Sequence, residues 1–330
     1  MTWLKLLFSA GLVVVAAIKL AEYGDVIGIR TRLGGMFVGT LLLAGATSLP
    51  ELLASITSLD QAVPNLAAGN VFGSQMMNMM LLAVLDILAG NARLLRRAAR
   101  KHAMSASLAI LLTLAPAVSL LAGIKGGIGW VGWDSLALIV AYLVGVRLLQ
   151  GDRVDIAPLD DEQEEEGPRI PSLKVAIIGF LVASGVLVAV MPMLVNASTE
   201  VAEQLGLTVG FVGSTLLALI TSLPELVACI TAVRIGAHDM AMGNLFGSNM
   251  FNMFGLGLVD VFYTKGLFLS EIDPSFALVA LLAAVLTGIA LVGNLADVKR
   301  RRIVLELDAA IILLGYAAGL WLIYSRGIGL

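Results

Sequence analysis

The feature that most constrains this chain is an internal repeat. Shifted by 174 residues, Leu33–Ser58 lies over Leu207–Ala232, and Gly69–Asn78 lies over Gly243–Asn252 without a gap. The shared words include Thr47-Ser48-Leu49-Pro50-Glu51 with Thr221-Ser222-Leu223-Pro224-Glu225, and Gly69-Asn70 with Gly243-Asn244. Each copy sets two hydroxyls, a proline and a carboxylate inside an apolar run, so the fold must be two versions of one unit, each interrupted at the same place.

Hydrophobic residues make up 59% of the 330 and charged residues 14%, with a mean hydropathy of +0.96. Soluble domains carry about 25% charged residues, so the chain reads as an all-α polytopic membrane protein. A span needs about 20 mostly apolar residues. That criterion gives ten, near 3–22, 34–58, 66–90, 103–123, 129–149, 172–196, 207–232, 240–263, 274–293 and 303–324. Met1 to Lys19 has the outline of a signal peptide, but no small-residue cleavage site precedes a soluble domain, and it reads as the first span. The single Cys229 excludes a disulfide framework and reads as a small core residue.

The expected organisation is a first five-helix repeat over 1–150, with its signature at 39–80, an acidic linker over 151–171, and a second five-helix repeat over 172–330, with its signature at 213–254. The run Asp160-Asp161-Glu162-Gln163-Glu164-Glu165-Glu166 reads as solvated linker; a calcium sensor would need a turn that folds its oxygens inward. Five spans per half is an odd number, so the second half enters the membrane inverted. The loop charges agree: Arg30, Arg32, Arg93, Arg96, Arg97, Arg100, Lys101, Arg153, Arg169, Lys174, Arg234 and Lys299 to Arg302 fall on one side. Chiefly Lys5, Lys125, Lys265 and Arg326 fall on the other. The positive-inside rule then makes the linker cytoplasmic, in a plasma (inner) membrane, with both termini outside.

Pro50 and Pro224 lack an N–H and clash with the carbonyl four residues back, which frees the carbonyls of Ala46 and Ile220 and breaks spans 2 and 7. Such carbonyls survive at membrane depth only against protein or a polar cavity. Glu51 and Glu225 follow each break, at a depth where an acid costs at least ~2.5–3.5 kcal/mol. No Lys, Arg or His lies in the central part of a nearby span. Carboxylates, hydroxyls and carbonyls form an all-oxygen set suited to hard cations such as calcium and sodium. On spans 3 and 8, Asn70, Ser74 and Asn78, and again Asn244, Ser248 and Asn252, recur every four residues as one polar stripe. Ser74, Asn78, Ser248 and Asn252 are expected to line the site. Asn70 and Asn244 fit either that role or helix-to-helix glue. Met76, Met77, Met79, Met80, Met250 and Met253 read as packing or lipid-facing. Asp25, His102, His238 and Asp239 read as interfacial.

Inverted halves whose broken helices meet at the midplane describe a secondary transporter rather than an enzyme. No phosphate-binding Gly-x-x-x-x-Gly-Lys-Ser/Thr loop occurs, and neither a prosthetic group nor a nucleic-acid partner is expected. At these two motif pairs the chain resembles the calcium/cation antiporter superfamily, in its prokaryotic-type sodium/calcium exchanger family. The resemblance covers spans 2, 3, 7 and 8 specifically and the ten-span layout generally. It implies clustered cation sites at the membrane centre. Glu51 and Glu225 would be shared carboxylates, with Thr47 and Thr221 completing a calcium site. Ser48, Ser74 and the Ala44 carbonyl would serve one peripheral sodium site, and Ser222, Ser248 and the Ala218 carbonyl the opposite one. Asn78 and Asn252 would line the middle. Two departures stand out: Ala46 and Ile220 occupy positions where the family usually has Gly, and Asn252 stands where some members have an acid. Two carboxylates remain, a charge that one calcium or two sodium ions neutralise, which argues against potassium co-transport.

The expected activity is sodium/calcium exchange across the lipid bilayer by alternating access. The alternative is a proton-coupled antiporter of calcium or another divalent cation, with protons taken up by the same two Glu. A channel or membrane sensor fits the hydropathy but not the duplicated breaks. The oligomeric state is left open by the sequence.

Overall fold

The structure, a computed structural model, describes residues 1–31, 43–89, 99–151, 171–295 and 307–329. The acidic run of the linker, residues 39–42 of the first signature, and Arg32, Arg93, Arg96, Arg97, Arg153, Arg169 and Lys299 to Arg302 lie outside the described residues.

The chain opens with α1, Thr2–Arg30. A short α2 over residues 43–47 and α3, Leu49–Asp60, meet at Ser48. Then come α4, Pro64–Ala89, and α5, Ala99–Ala122. A two-stranded hairpin (β1, Gly127–Ile128; β2, Val131–Gly132) leads into α6, Trp133–Gly151. The second half has α7, Leu173–Leu205, then α8, Val209–Thr221, and α9, Leu223–Arg234. It closes with α10, His238–Phe262, a one-turn α11, Phe268–Glu271, α12, Phe276–Leu295, and α13, Leu307–Arg326.

Among the described residues, seven helices are long and apolar enough to cross a membrane, and α8 with α9 makes an eighth span bent by 43°. That bend falls at Ser222, where the sequence places the break in span 7. Ser222 has φ −89° and ψ 3°, and Ser48 has φ −89° and ψ 5°, so both copies leave helical geometry at the same residue in the same way. The proline two residues on explains why: it cannot donate to the preceding turn, yet its fixed φ starts a new helix readily.

Three expected boundaries differ. The first span runs on to Arg30 rather than ending near 22. The fifth span begins at Trp133 rather than near 129, because Gly127 to Gly132 pair as a hairpin around Gly129, whose φ is +65°. A residue with φ in that region suits Gly and cannot continue a right-handed helix. The sixth span is longer than expected: α7 runs 33 residues to a Gly206 cap at φ 64°. At 1.5 Å per residue such a helix is about 50 Å long, more than the ~30 Å hydrocarbon core requires.

The helices α1 and α7, equivalent under the 174-residue shift, lie antiparallel. Thr2 Oγ1 donates to Glu200 Oε2 (2.5 Å) and Lys5 pairs with Glu200 Oε1 (3.2 Å), while at the far end Arg30 Nε donates to the Pro171 carbonyl (3.3 Å). The exposed Lys5–Glu200 pair contributes at most about 1 kcal/mol; the register comes from the packed apolar faces, which bury Val13, Ala17, Leu20, Leu187, Leu194 and Val195. The central helices are α4 and α10, 78% and 72% buried across their spans, against 28% for α7 and 22% for α13, whose outer apolar side chains face away from the protein.

Small residues let these central helices approach. A Cβ added at Gly69 or Gly73 would run into the backbone of α8 at Gly210, Gly213 and Ser214. At that contact α8 widens into a π turn, Gly213–Leu217, and π turns are frequent at functional sites. The methionines behave as packing: Met76, Met77, Met79, Met250 and Met253 are buried in the main apolar core.

One buried acid outside the repeats' signatures is accounted for by structure alone. Asp260 accepts from the backbone N–H of Gly132 (2.7 Å) and of Phe268 (2.6 Å), and so ties the hairpin and α11 to the end of α10. Bonds to a charged acceptor are worth about 1.5–3 kcal/mol each. The expected result for Asp260→Asn is a loss of roughly that size in thermal stability in detergent, with the cation dependence of transport unchanged.

Candidate functional site

The two breaks put their side chains on each other. Ser48 Oγ donates to Glu225 Oε1 (2.9 Å), and Ser222 Oγ donates to Glu51 Oε1 (3.0 Å). Thr47 Oγ1 reaches Asn244 Oδ1 (3.4 Å), and Thr221 Oγ1 reaches Asn70 Oδ1 (3.1 Å). At the breaks each half thus supplies a hydroxyl to the carboxylate of the other. Glu51, Glu225, Thr47, Thr221, Ser48 and Ser222 are all buried.

Of the rest of the expected set, Ser248 reaches one of these pairs. Ser248 Oγ lies 3.4 Å from Glu225 Oε1, and its counterpart Ser74 has a buried hydroxyl without a hydrogen-bond partner. Asn78 Nδ2 donates to Asn249 Oδ1 (2.9 Å), which leaves Asn78 Oδ1 buried and unpartnered; Asn252 Nδ2 is likewise buried without a partner. The Ala44 carbonyl accepts from Ser48 N (3.0 Å) and Thr47 Oγ1 (3.2 Å), and the Ala218 carbonyl from Ser222 N (3.0 Å) and Thr221 Oγ1 (3.4 Å). Both carbonyls sit at the breaks, and both are shared with local donors.

Asn70 and Asn244 tie helices together. Asn70 Nδ2 donates to the Glu51 carbonyl (3.0 Å) and Ser55 Oγ (3.2 Å), joining α4 to α3 while its oxygen reaches across to α8. Three further polar groups went unread in the sequence. Gln75 Nε2 donates to the Asn249 carbonyl (2.7 Å) and Gln75 Oε1 accepts from Thr113 (3.3 Å), so α4, α5 and α10 share one buried network beside Asn78. The 174-residue register pairs Gln75 with Asn249, the one signal that could have found them.

The electrostatics set the chemistry. Each carboxylate accepts from a hydroxyl at the opposite break. Among the described residues neither has a salt-bridge partner, and no group of three or more His, Cys, Asp or Glu is clustered anywhere. Among the described residues Glu51 Oε2 and Glu225 Oε2 are buried without a hydrogen bond. A buried charged oxygen left unpaired is strongly unfavourable. Among the described residues Ser74 Oγ and Asn78 Oδ1 are buried oxygens without a partner too, along with the unpartnered nitrogens of Asn249 and Asn252; carboxylate, hydroxyl and amide oxygens suit a hard cation rather than zinc or copper.

The sequence profile of the sodium/calcium exchanger protein family matches residues 1–149 and 175–325. The chain belongs to that family. It is an integral membrane exchanger, not an enzyme, and the family's cargo is ions rather than a prosthetic group. Among curated relatives, this exchanger is 28% identical over 272 residues to the inner membrane protein YrbG of Escherichia coli, covering 80% of this chain and 79% of that one. It is 27% identical over 301 residues to the putative antiporter CaxA of Alkalimonas amylolytica, covering 88% of each. A shorter stretch of 107 residues is 37% identical to the sodium/calcium exchanger MaX1 of Methanosarcina acetivorans, covering 32% of this chain and 30% of that one. In fold, the exchanger resembles the sodium-calcium exchanger NCX_Mj (TM-score 0.62, 19% identity, 97% and 99% of the two chains). It also resembles the H+/Ca2+ exchanger CAX (TM-score 0.66, 15% identity, 97% and 88%).

Proposed function

We propose that this exchanger moves calcium against sodium through one site formed by Glu51 and Glu225, opened alternately to the two sides of the membrane. The observation that carries the reading is the pair of buried carboxylate oxygens, Glu51 Oε2 and Glu225 Oε2, without hydrogen bond or salt bridge among the described residues. A pair of carboxylates in a low-dielectric interior must be charge-compensated. One calcium ion does this, and so do two sodium ions, but both sets together overcompensate. Binding of one cargo therefore expels the other, which couples the two flows. Thr47 and Thr221 would complete the calcium shell. Ser48, Ser74 and the Ala44 carbonyl would serve sodium on one flank, Ser222, Ser248 and the Ala218 carbonyl on the other, with Asn78 and Asn252 between.

The reading includes ten spans in two inverted five-helix repeats, 1–150 and 172–330, with the 151–171 linker cytoplasmic and both termini outside the plasma (inner) membrane. The antiparallel course of α1 and α7 and the reciprocal Ser–Glu bonds support the inversion. Proton coupling is the second reading, favoured by the unpartnered oxygen on each carboxylate, where a proton could sit in place of sodium.

Radioactive calcium uptake into proteoliposomes tests the coupling. Vesicles loaded with sodium and diluted into sodium-free buffer are expected to accumulate calcium, and vesicles with only an outward proton gradient are not. Uptake driven by protons alone would replace sodium with the proton as coupling ion.

A further inference from the structure

We propose that Asn70 and Asn244 are positioning residues that aim the threonine hydroxyls of the opposite half at the cargo, and that Cys229 makes one of these two clamps the weaker. The inference rests on the reading of Thr47 and Thr221 as ligands. A threonine hydroxyl offers one proton and two lone pairs. To face a cation it must give its proton elsewhere. Asn70 Oδ1 is an acceptor for Thr221 Oγ1 at 3.1 Å, and Asn244 Oδ1 is one for Thr47 Oγ1 at 3.4 Å. The carbonyls of Leu217 (3.1 Å) and Ala44 (3.2 Å) compete for the same two protons, so the amide must hold its oxygen in place to win a share. Rotating either amide by half a turn would instead point an N–H at the hydroxyl and occupy a lone pair that the cation needs. What holds the amide the right way round therefore decides how well the threonine binds.

The two halves hold it differently. Asn70 Nδ2 is anchored on the Glu51 carbonyl (3.0 Å) and on Ser55 Oγ (3.2 Å). In the other half the residue 174 positions after Ser55 is Cys229. Asn244 Nδ2 donates to Cys229 Sγ at 3.5 Å, and among the described residues it makes no matching bond to the Glu225 carbonyl. A thiol is a weak acceptor, and this one spends its own proton on the Ala241 carbonyl (3.5 Å). All of these groups are buried, with Cys229 and Asn70 at 0% and Asn244 at 1% exposure, so water cannot substitute for a missing partner. The repeated signatures are the same at Thr-Ser-Leu-Pro-Glu, yet the site they build is unequal one shell out. Thr221 is firmly presented and Thr47 loosely.

The test uses the full chain in detergent, with calcium titrated calorimetrically, unfolding temperature measured alongside, and calcium uptake measured in proteoliposomes. Cys229→Ser, which gives the second half the anchor of the first, is expected to tighten calcium binding by about two- to tenfold, the size of converting a weak hydrogen bond to an ordinary one. Ser55→Cys is expected to loosen it by a similar factor, and the double exchange to return it toward the parent value. In uptake the change should appear in the calcium concentration for half-maximal rate and not in the maximal rate. A purely structural role would move the unfolding temperature and leave affinity alone, and that pattern would overturn the proposal. The infrared S–H stretch of the single cysteine, recorded without any cation, adds a readout independent of cargo. Asn244→Leu is expected to shift it, and an unmoved band would overturn the proposal. Should the parent protein bind no calcium, the exchanger reading fails on its own, and the S–H band still decides the clamp.

Discussion

Replacing Glu51 or Glu225 by Gln is expected to abolish exchange while leaving the protein folded. The amide keeps the shape of the side chain, and its oxygen can still accept from Ser222 or Ser48, the cross-half bonds of 3.0 and 2.9 Å that hold the two breaks together. What it loses is one of two charges. A calcium ion in the remaining site would be half compensated, and leaving a buried charge without its partner costs about 3–5 kcal/mol. At ~1.4 kcal/mol per decade that is a loss of roughly two to four orders of magnitude in affinity. Calcium uptake in proteoliposomes, with size-exclusion chromatography as the check on folding, measures both halves of the statement. Transport retained by either variant would remove that Glu from the site.

The second large effect is expected at Gly73. An added methyl group would press on the Cα, carbonyl carbon and carbonyl oxygen of Ser214. Backbone lies on both sides of this contact, so no flexible side chain can give way. Gly73→Ala must push α4 from the π turn of α8, the segment that leads into Thr221 and Ser222. Overpacking of this kind costs typically about 1–3 kcal/mol, and the expected result is a lowered unfolding temperature together with a loss of transport. Gly185→Ala is the matched control, because nothing lies within 4 Å of its added Cβ. Equal behaviour of the two variants would show that the close approach of α4 and α8 matters little.

The breaks were readable because proline chemistry acts locally. A missing N–H and a fixed φ have the same consequence at Pro50 and Pro224 wherever the helices go, and Ser48 and Ser222 adopt nearly the same backbone angles as a result. The 174-residue register showed which residues are equivalent, but equivalence does not say which residues meet. That Ser48 serves Glu225 and not Glu51 depends on how the halves dock, a long-range packing property with no local signature. Gln75 stayed hidden for a related reason, since its partners Thr113 and Asn249 come from α5 and α10. Cys229 was read correctly as a buried core residue, yet its bond to Asn244 was invisible without the neighbouring helix.

Boundaries failed where hydropathy and backbone geometry disagree. Ile128, Trp130 and Val131 score as membrane helix, while Gly126, Gly127 and Gly129 permit the hairpin that forms. Hydropathy likewise stopped the sixth span near residue 196, although α7 continues through the polar Asn196 to Gln204, where Thr2 and Lys5 of α1 meet Glu200 and Gln204 donates to Thr2. Asp260 shows the limit from the other side: its backbone donors, Gly132 and Phe268, come from the hairpin and α11, and no local pattern in the sequence announces them.

The most direct test of the account is a crystal structure of the protein soaked in strontium, a calcium stand-in whose anomalous scattering locates it without ambiguity. A peak is expected between Glu51 Oε2 and Glu225 Oε2, with Thr47 and Thr221 turned toward it, and sodium in the soak is expected to remove that peak. A strontium peak elsewhere in the membrane region, with these two oxygens still unbound, would contradict the account.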